Sequence, residues 1–159
     1  MITYLLIKWC NTVLLCLINH NTVHGTQWIQ IRNDSYSTAC PTIVTRAACN
    51  LRPARSCSSN NPRPLPTVII HHTVTAACTT QADCCARIRS MQNHHMDGLG
   101  WADIGYNFLI GEDGRAYTGR GWTCVGAHAA GCNTRSIGIA IIGDFTSKPI
   151  CTVLQHDTH

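Results

Sequence analysis

Residues Thr67-Val68-Ile69-Ile70 run without interruption into His71-His72-Thr73-Val74. An unbroken β-branched stretch, not alternating with polar residues, is the pattern of a strand buried on both faces, so it predicts a strand central to a sheet with polar residues at its end. From Thr80 the period lengthens, and Ala82, Cys85, Ile88, Met91, His95 and Leu99 recur every three or four positions. Thr79 or Thr80 serves as N-cap, Asp83 lies in the first turn, and Gly98 and Gly100 act as stops, which predicts an amphipathic helix of about five turns. Tyr106-Asn107-Phe108-Leu109-Ile110, the turn Gly111-Glu112-Asp113-Gly114 and Arg115-Ala116-Tyr117-Thr118 read as a hairpin, and Ser136 to Ile142 as a last strand. Strand, helix, hairpin and strand in that order predict an α/β fold, a central mixed β-sheet with flanking helices and no internal repeat.

Residues 1–18 are apolar around the single cation Lys8 and are followed by a polar stretch and Val23-His24-Gly25, the pattern of a cleaved secretory signal peptide over 1–25. Lys8, Asn11 and Thr12 keep it below the roughly 20 residues of a membrane span, and no span is expected in the mature chain. Residues 26–39 read as an N-terminal extension, and the Pro-, Ser- and Asn-rich stretch 50–66 as an irregular connection. Beyond residue 25 lie Cys40, Cys49, Cys57, Cys78, Cys84, Cys85, Cys124, Cys132 and Cys151, a density that in a secreted chain implies disulfides. Their number is odd, so at least one thiol is left over. Cys78 and Cys84, across a strand-to-helix turn, look like a local bridge, and Cys124 and Cys132 could pair likewise around Gly126-Ala127-His128. Asn33-Asp34-Ser35 is a glycosylation sequon.

The net charge of +4 is spread too thinly for a nucleic-acid groove, and no nucleic-acid partner is expected. Glu112 is the only glutamate, which excludes mechanisms built on paired glutamates and leaves His, Cys, Asp and Tyr to carry any chemistry. Oxidised cysteines are poor nucleophiles, which argues against a Cys–His enzyme. His71 and His72 are adjacent on a strand and must point to opposite faces, so only one of them serves a given site. No HxH, HExxH or CxxC with a matching His pair is present, so spacing alone does not define a metal site. His94 and His95, near the helix end, fit a solvated or capping role. Trp101, Tyr106, Arg120 and Trp122, near strand ends, are either core and rim or a stacking and hydrogen-bonding wall for a sugar.

Four segments in order carry a resemblance. They are Val68 to Thr73; Met96 to Gly114; Tyr117-Thr118-Gly119-Arg120-Gly121-Trp122 with Gly126-Ala127-His128; and Ser136 to Gly143. Together they resemble the peptidoglycan recognition proteins of animal innate immunity, which are related to zinc N-acetylmuramoyl-L-alanine amidases. Cys40-Pro41-Thr42-Ile43-Val44 resembles the family's domain start, and Cys78 with Cys84 its short disulfide. The likeness spans about residues 39 to 148, so a C-terminally incomplete domain over 40–148 and a divergent tail over 149–159 are expected.

The resemblance implies a secreted, antibacterial pattern-recognition protein whose partner is bacterial peptidoglycan. By similarity, His72, Thr73, Trp101, Tyr106, Arg120, His128 and Asn133 would line a muropeptide cleft. Arg135 resembles the arginine that pairs with the extra carboxylate of diaminopimelic-type stem peptides. Amidase members cut between muramic acid and the first alanine, and hold zinc with a histidine at the position of His71, a second in a Gly-His-Arg-Asp segment and a cysteine before Pro-Gly. Only His71 has a counterpart here, so the zinc site is incomplete; Tyr106 stands where these amidases have a tyrosine that assists the bound water and the carbonyl. A zinc amidase and a non-catalytic fragment that acts as a decoy or pairs with a full-length family member are the alternative readings.

Overall fold

The structure is a computed structural model and describes residues 41–59, 65 and 67–146. The predicted signal peptide, the N-terminal extension and the 149–159 tail lie outside the described residues. Strands β1 (Ile43–Val44), β2 (Thr67–His72), β3 (Phe108–Ile110), β4 (Ala116–Thr118) and β5 (Ser136–Ile141) form one mixed sheet in the order β1-β4-β3-β5-β2. The hairpin is present, with β3 antiparallel to β4 and Phe108 opposite Thr118. Gly114 closes its turn with φ +75°, a left-handed conformation that favours glycine. β5 lies between β3 and β2 and is parallel to both.

The doubly buried strand is β5, not β2. All six residues of Ser-Ile-Gly-Ile-Ala-Ile are buried, whereas β2 is the edge of the described sheet and leaves Ile70 39% exposed. A β-branched run therefore predicts a strand correctly without fixing its place in the sheet, because placement depends on pairing partners far away in sequence. Ile137, Ile139 and Ile141 face one side with Phe108, Ile110 and Ala116. Ala140 faces the other side with Leu109 and Tyr117, where the helix packs.

Helix α1 (Gln81–Asn93) starts at Thr80, whose Oγ1 accepts from the Asp83 amide at 3.2 Å and donates to the Asp83 carboxylate at 2.8 Å. It continues as a π-helical turn, His94–Gly98, which together with α1 accounts for the predicted length. The buried face differs from the predicted stripe. Ala82 and Leu99 are exposed, while Cys84, Cys85, Ile88 and Gln92 are buried. Two forces rotate it: disulfides draw Cys84 and Cys85 inward, and the fully buried Gln92 amide is satisfied by both main-chain groups of Arg52 and by Asp103.

Three disulfides join described residues: Cys49–Cys85, Cys57–Cys124 and Cys78–Cys84. The local bridge at Cys78–Cys84 is as expected. The Cys124–Cys132 pairing is not, because Cys124 bonds Cys57 across a separation of 67 residues and Cys132 is a free thiol. The reason lies in how the loop is held. Asn107 takes the carbonyl of Cys124 and the next amide, Val125, donates to Ser58, which sets Cys124 against the 52–59 segment. A closed loop of that length stabilises a fold by about 4 kcal/mol in the chain-entropy model.

Candidate functional site

Side chains alternate along β5, so the face that carries Ala140 also carries Gly138. His71 pairs in register with Ala140 and shares its face. Its Nε2 lies 2.9 Å from His128 Nδ1, and its ring centroid 5.5 Å from that of Tyr106. His128 comes from the loop before β5, and its ring lies on Gly138: a Cβ built there would meet ring atoms at 2.4 Å. Asn133 Oδ1 accepts from the amides of both His128 and Ala129, at 2.9 and 2.8 Å, and so fixes the loop that carries the ring.

The hydrogen bonds assign the tautomers. Ser136 Oγ donates to the Cys132 carbonyl at 2.7 Å and stands 3.5 Å from His128 Nε2. With its proton committed, that hydroxyl accepts from Nε2–H, which leaves His128 Nδ1 to accept from His71 Nε2–H. Two neutral imidazoles are what the surroundings favour. Burial pushes the His71 pKa down, with His72 adding to it, and burial followed by His71 takes His128 down to about 4. Burial raises the Tyr106 phenol, so at neutral pH it is a hydrogen-bond donor beside the two rings.

A pH dependence follows with a defined sign. Both histidines bind protons more weakly folded than unfolded, so their stabilising contribution is complete above the unfolded value of 6.5 and is lost as pH falls toward 4. The expected loss for His128 is on the order of 1 kcal/mol after discounting for solvent screening. Urea midpoints at pH 7.5 and 4.5 should show the decline, and His128→Ala should make it shallower, leaving the share of His71 and His95. A profile that is flat in both proteins would refute the assignment.

The other predicted residues separate into groups. Trp101 stacks on His95 with centroids 4.7 Å apart, and His95 sits edge-on to Tyr106, so these aromatic rings form one continuous row leading to His71. Arg120 adjoins the site through its loop: its Nε, Nη1 and Nη2 donate to the carbonyls of Ile104, Val125 and Asp103. Thr73 Oγ1 pairs with Thr75 Oγ1 and accepts from the Gly143 amide. Arg135 is exposed in the 3-10 turn Asn133–Arg135 that leads into β5. His72 is not brought to His71: it lies on the opposite face, where Nδ1 accepts from the Phe145 amide at 3.0 Å. Trp122 packs on Phe108, a residue of the cluster on that same opposite face.

His95 is the residue that sequence reasoning missed. It is buried, not solvated, and its Nδ1 accepts from the Gly105 amide at 3.0 Å. Burial, foremost, lowers its pKa and keeps it neutral. The available signal was its place on the apolar stripe rather than its nearness to the helix end.

Among the described residues, no three His, Cys, Asp or Glu side chains are grouped to hold a metal ion. His71 and His128 offer, among the described residues, two imidazoles, short of the three protein ligands of a catalytic zinc, so the described donor set does not by itself fit that metal.

A sheet of this order carries paired imidazoles and a tyrosine on its helix-side face. A family model described as N-acetylmuramoyl-L-alanine amidase matches residues 61–156. Peptidoglycan-recognition protein 1 of Holotrichia diomphalia is 50% identical over 109 residues, which make up 69% of this chain and 55% of that protein. Bumblebee PGRP-SA superposes with a TM-score of 0.66 at 49% identity, covering 69% of this chain and 65% of that one. The ectodomain complex of peptidoglycan recognition proteins LCa and LCx, solved with tracheal cytotoxin bound, gives a TM-score of 0.66 at 47% identity, covering 68% and 66%. The chain belongs to the peptidoglycan-recognition protein family. It spans a little over half the length of the Holotrichia relative.

Proposed function

We propose that this chain is a secreted recognition protein that binds bacterial muropeptide on the face where His71, Tyr106 and His128 meet. The observation that carries the reading is the convergence of two neutral imidazoles and a protonated phenol on one face of the sheet. Such a face offers uncharged donors and acceptors to amide and hydroxyl groups, and the half-buried Trp101, backed by His95, offers an apolar ring to a sugar. A relative solved with tracheal cytotoxin bound supports the ligand class. Arg135, exposed at the edge of the same loop system, is the residue we assign to a stem-peptide carboxylate. Secretion is supported by the leader-like sequence over 1–25 and by the disulfides; among the described residues, no helix is long and apolar enough to cross a membrane.

The test is co-sedimentation of the purified protein with insoluble lysine-type and diaminopimelic-type peptidoglycan, with zinc content measured on the same sample. Saturable binding that falls at least tenfold in His128→Ala is expected, with Arg135→Ala weakening the diaminopimelic arm more. Binding that is unchanged in a His71→Ala, Tyr106→Ala, His128→Ala triple variant would refute the site. Absence of binding by folded protein would refute the recognition reading and favour association with a second family member. Near-stoichiometric zinc together with stem-peptide release would instead establish an amidase.

A further inference from the structure

We infer that the Cys57–Cys124 disulfide is a positioning device for His128, one that fastens the irregular 52–59 strap to the loop carrying the imidazole and thereby sets the affinity of the proposed muropeptide face. The inference rests on that reading of the face for its affinity consequence, and on geometry alone for its structural one.

The loop from Gly119 to His128 has little of its own to hold it. It contains Gly119, Gly121 and Gly126 and no strand or helix, and Gly121 is in the left-handed region at φ +69°. Its shape is imposed by ties to other segments. Asn107 Nδ2 donates to the Cys124 carbonyl at 2.9 Å, Arg120 Nε to the Ile104 carbonyl at 2.7 Å, and the Ala127 amide to the Gly105 carbonyl at 2.8 Å. The amides of Gly119, Arg120 and Gly121 donate to the carbonyls of Tyr106 and Asn107 and the His128 amide to Asn133, and two more ties come from the strap, the disulfide itself and the Val125 amide donating to Ser58 at 2.9 Å. The strap is firm enough to act as an anchor. The Arg55 amide donates to Ala102, the Arg55 guanidinium reaches the Met96 carbonyl and Asp97, and Gln92 holds both main-chain groups of Arg52. Without the bridge, strap and loop are still joined, among the described residues, by the hydrogen bond from the Val125 amide to Ser58, three residues from His128.

The Cys49–Cys85 bridge provides an internal comparison. It joins the turn after β1 to α1 and is buried in the core cluster, so it supports the fold without touching the His128 loop. The two bridges should therefore separate affinity from stability. They also differ in access: Cys57 is exposed, whereas Cys49, Cys85, Cys78 and Cys84 are all buried, so a mild dithiol should open Cys57–Cys124 first in the folded protein.

The experiment compares wild type, Cys57→Ala/Cys124→Ala and Cys49→Ala/Cys85→Ala by muropeptide titration, thermal unfolding and ligand-free amide exchange. A fourth sample is wild type briefly treated with dithiothreitol and alkylated, with the opened bridge mapped by mass spectrometry, so that the result does not depend on the variant folding. Opening Cys57–Cys124 by either route is expected to weaken muropeptide binding about tenfold, to speed exchange at the Val125 and Ala127 amides and to shift the His128 ring resonances. Cys49→Ala/Cys85→Ala is expected to lower the unfolding midpoint and leave affinity within twofold. Unchanged affinity with unchanged Val125 and Ala127 protection, or equal affinity loss in both variants, would overturn the inference. If wild type binds no muropeptide, the recognition reading falls, and the exchange and ring resonances of the ligand-free protein still decide whether the bridge positions His128.

Discussion

Asn107→Ala is expected to cost about 3–5 kcal/mol of folding stability, read as a shift of the urea midpoint with the disulfides intact. Asn107 is fully buried, and its short side chain serves three main-chain groups from distant segments. Its Nδ2 donates to the carbonyls of Gly121 and Cys124, both at 2.9 Å, and its Oδ1 accepts from the Gly138 amide at 2.9 Å. Its own amide donates to Gly138, and its carbonyl receives the amides of Gly119 and Gly121. Truncation would leave the buried Gly138 N–H, the buried Gly121 carbonyl and the half-buried Cys124 carbonyl without these partners, and each buried group costs about 1–3 kcal/mol, so the total exceeds the loss of side-chain contacts. Asn107→Asp, which is nearly isosteric, should not rescue. It keeps the acceptor for Gly138, loses both donors and places a carboxylate against two carbonyls. A midpoint shift equivalent to less than about 1 kcal/mol in Asn107→Ala would show that water replaces the amide and that Asn107 does not organise the loop.

The same residue shows what a sequence can and cannot disclose. Residues 106–118 read clearly as a hairpin, because a local turn and local strands follow from neighbouring residues. The helix start at Thr80 and the strand at 136–141 were legible for the same reason. Illegible was whatever depends on contacts between remote residues: β2 at the edge of the described sheet, Gln92 turned inward to Arg52, and Cys124 joined to Cys57. Periodicity states that a segment is buried, not what buries it. In the site, strand alternation separated His71 from His72, and the family resemblance supplied Tyr106 and His128. The seating of His128 on Gly138 was hidden, although a glycine inside a strand pattern signals a close approach. Position 138 needs a small residue because a histidine ten positions earlier folds back onto it.

Gly138→Ala therefore tests the architecture of the site with a single methyl group. Gly138 does not have a positive φ, so alanine can adopt its extended backbone without strain, and strand propensity alone would favour the change. The obstacle is steric: the new Cβ would fall 2.4 Å from both Cδ2 and Cγ of His128, inside van der Waals contact. The backbone of β5 is held between β2 and β3, so the ring must move, and it can do so only by breaking its contact with His71 Nε2 or pulling its loop from Asn133. Overpacking of this kind costs about 1–3 kcal/mol, and displacement of the ring is expected to lower muropeptide affinity at least tenfold. A double-mutant cycle isolates the cause. In a His128→Ala background the clash has no partner, so adding Gly138→Ala should change stability by less than about 0.5 kcal/mol. Equal destabilisation in both backgrounds would place the strain elsewhere in β5 and show that His128 does not lie on Gly138. Destabilisation confined to the wild-type background, with loss of binding, would tie the smallness of position 138 to the placement of the imidazole.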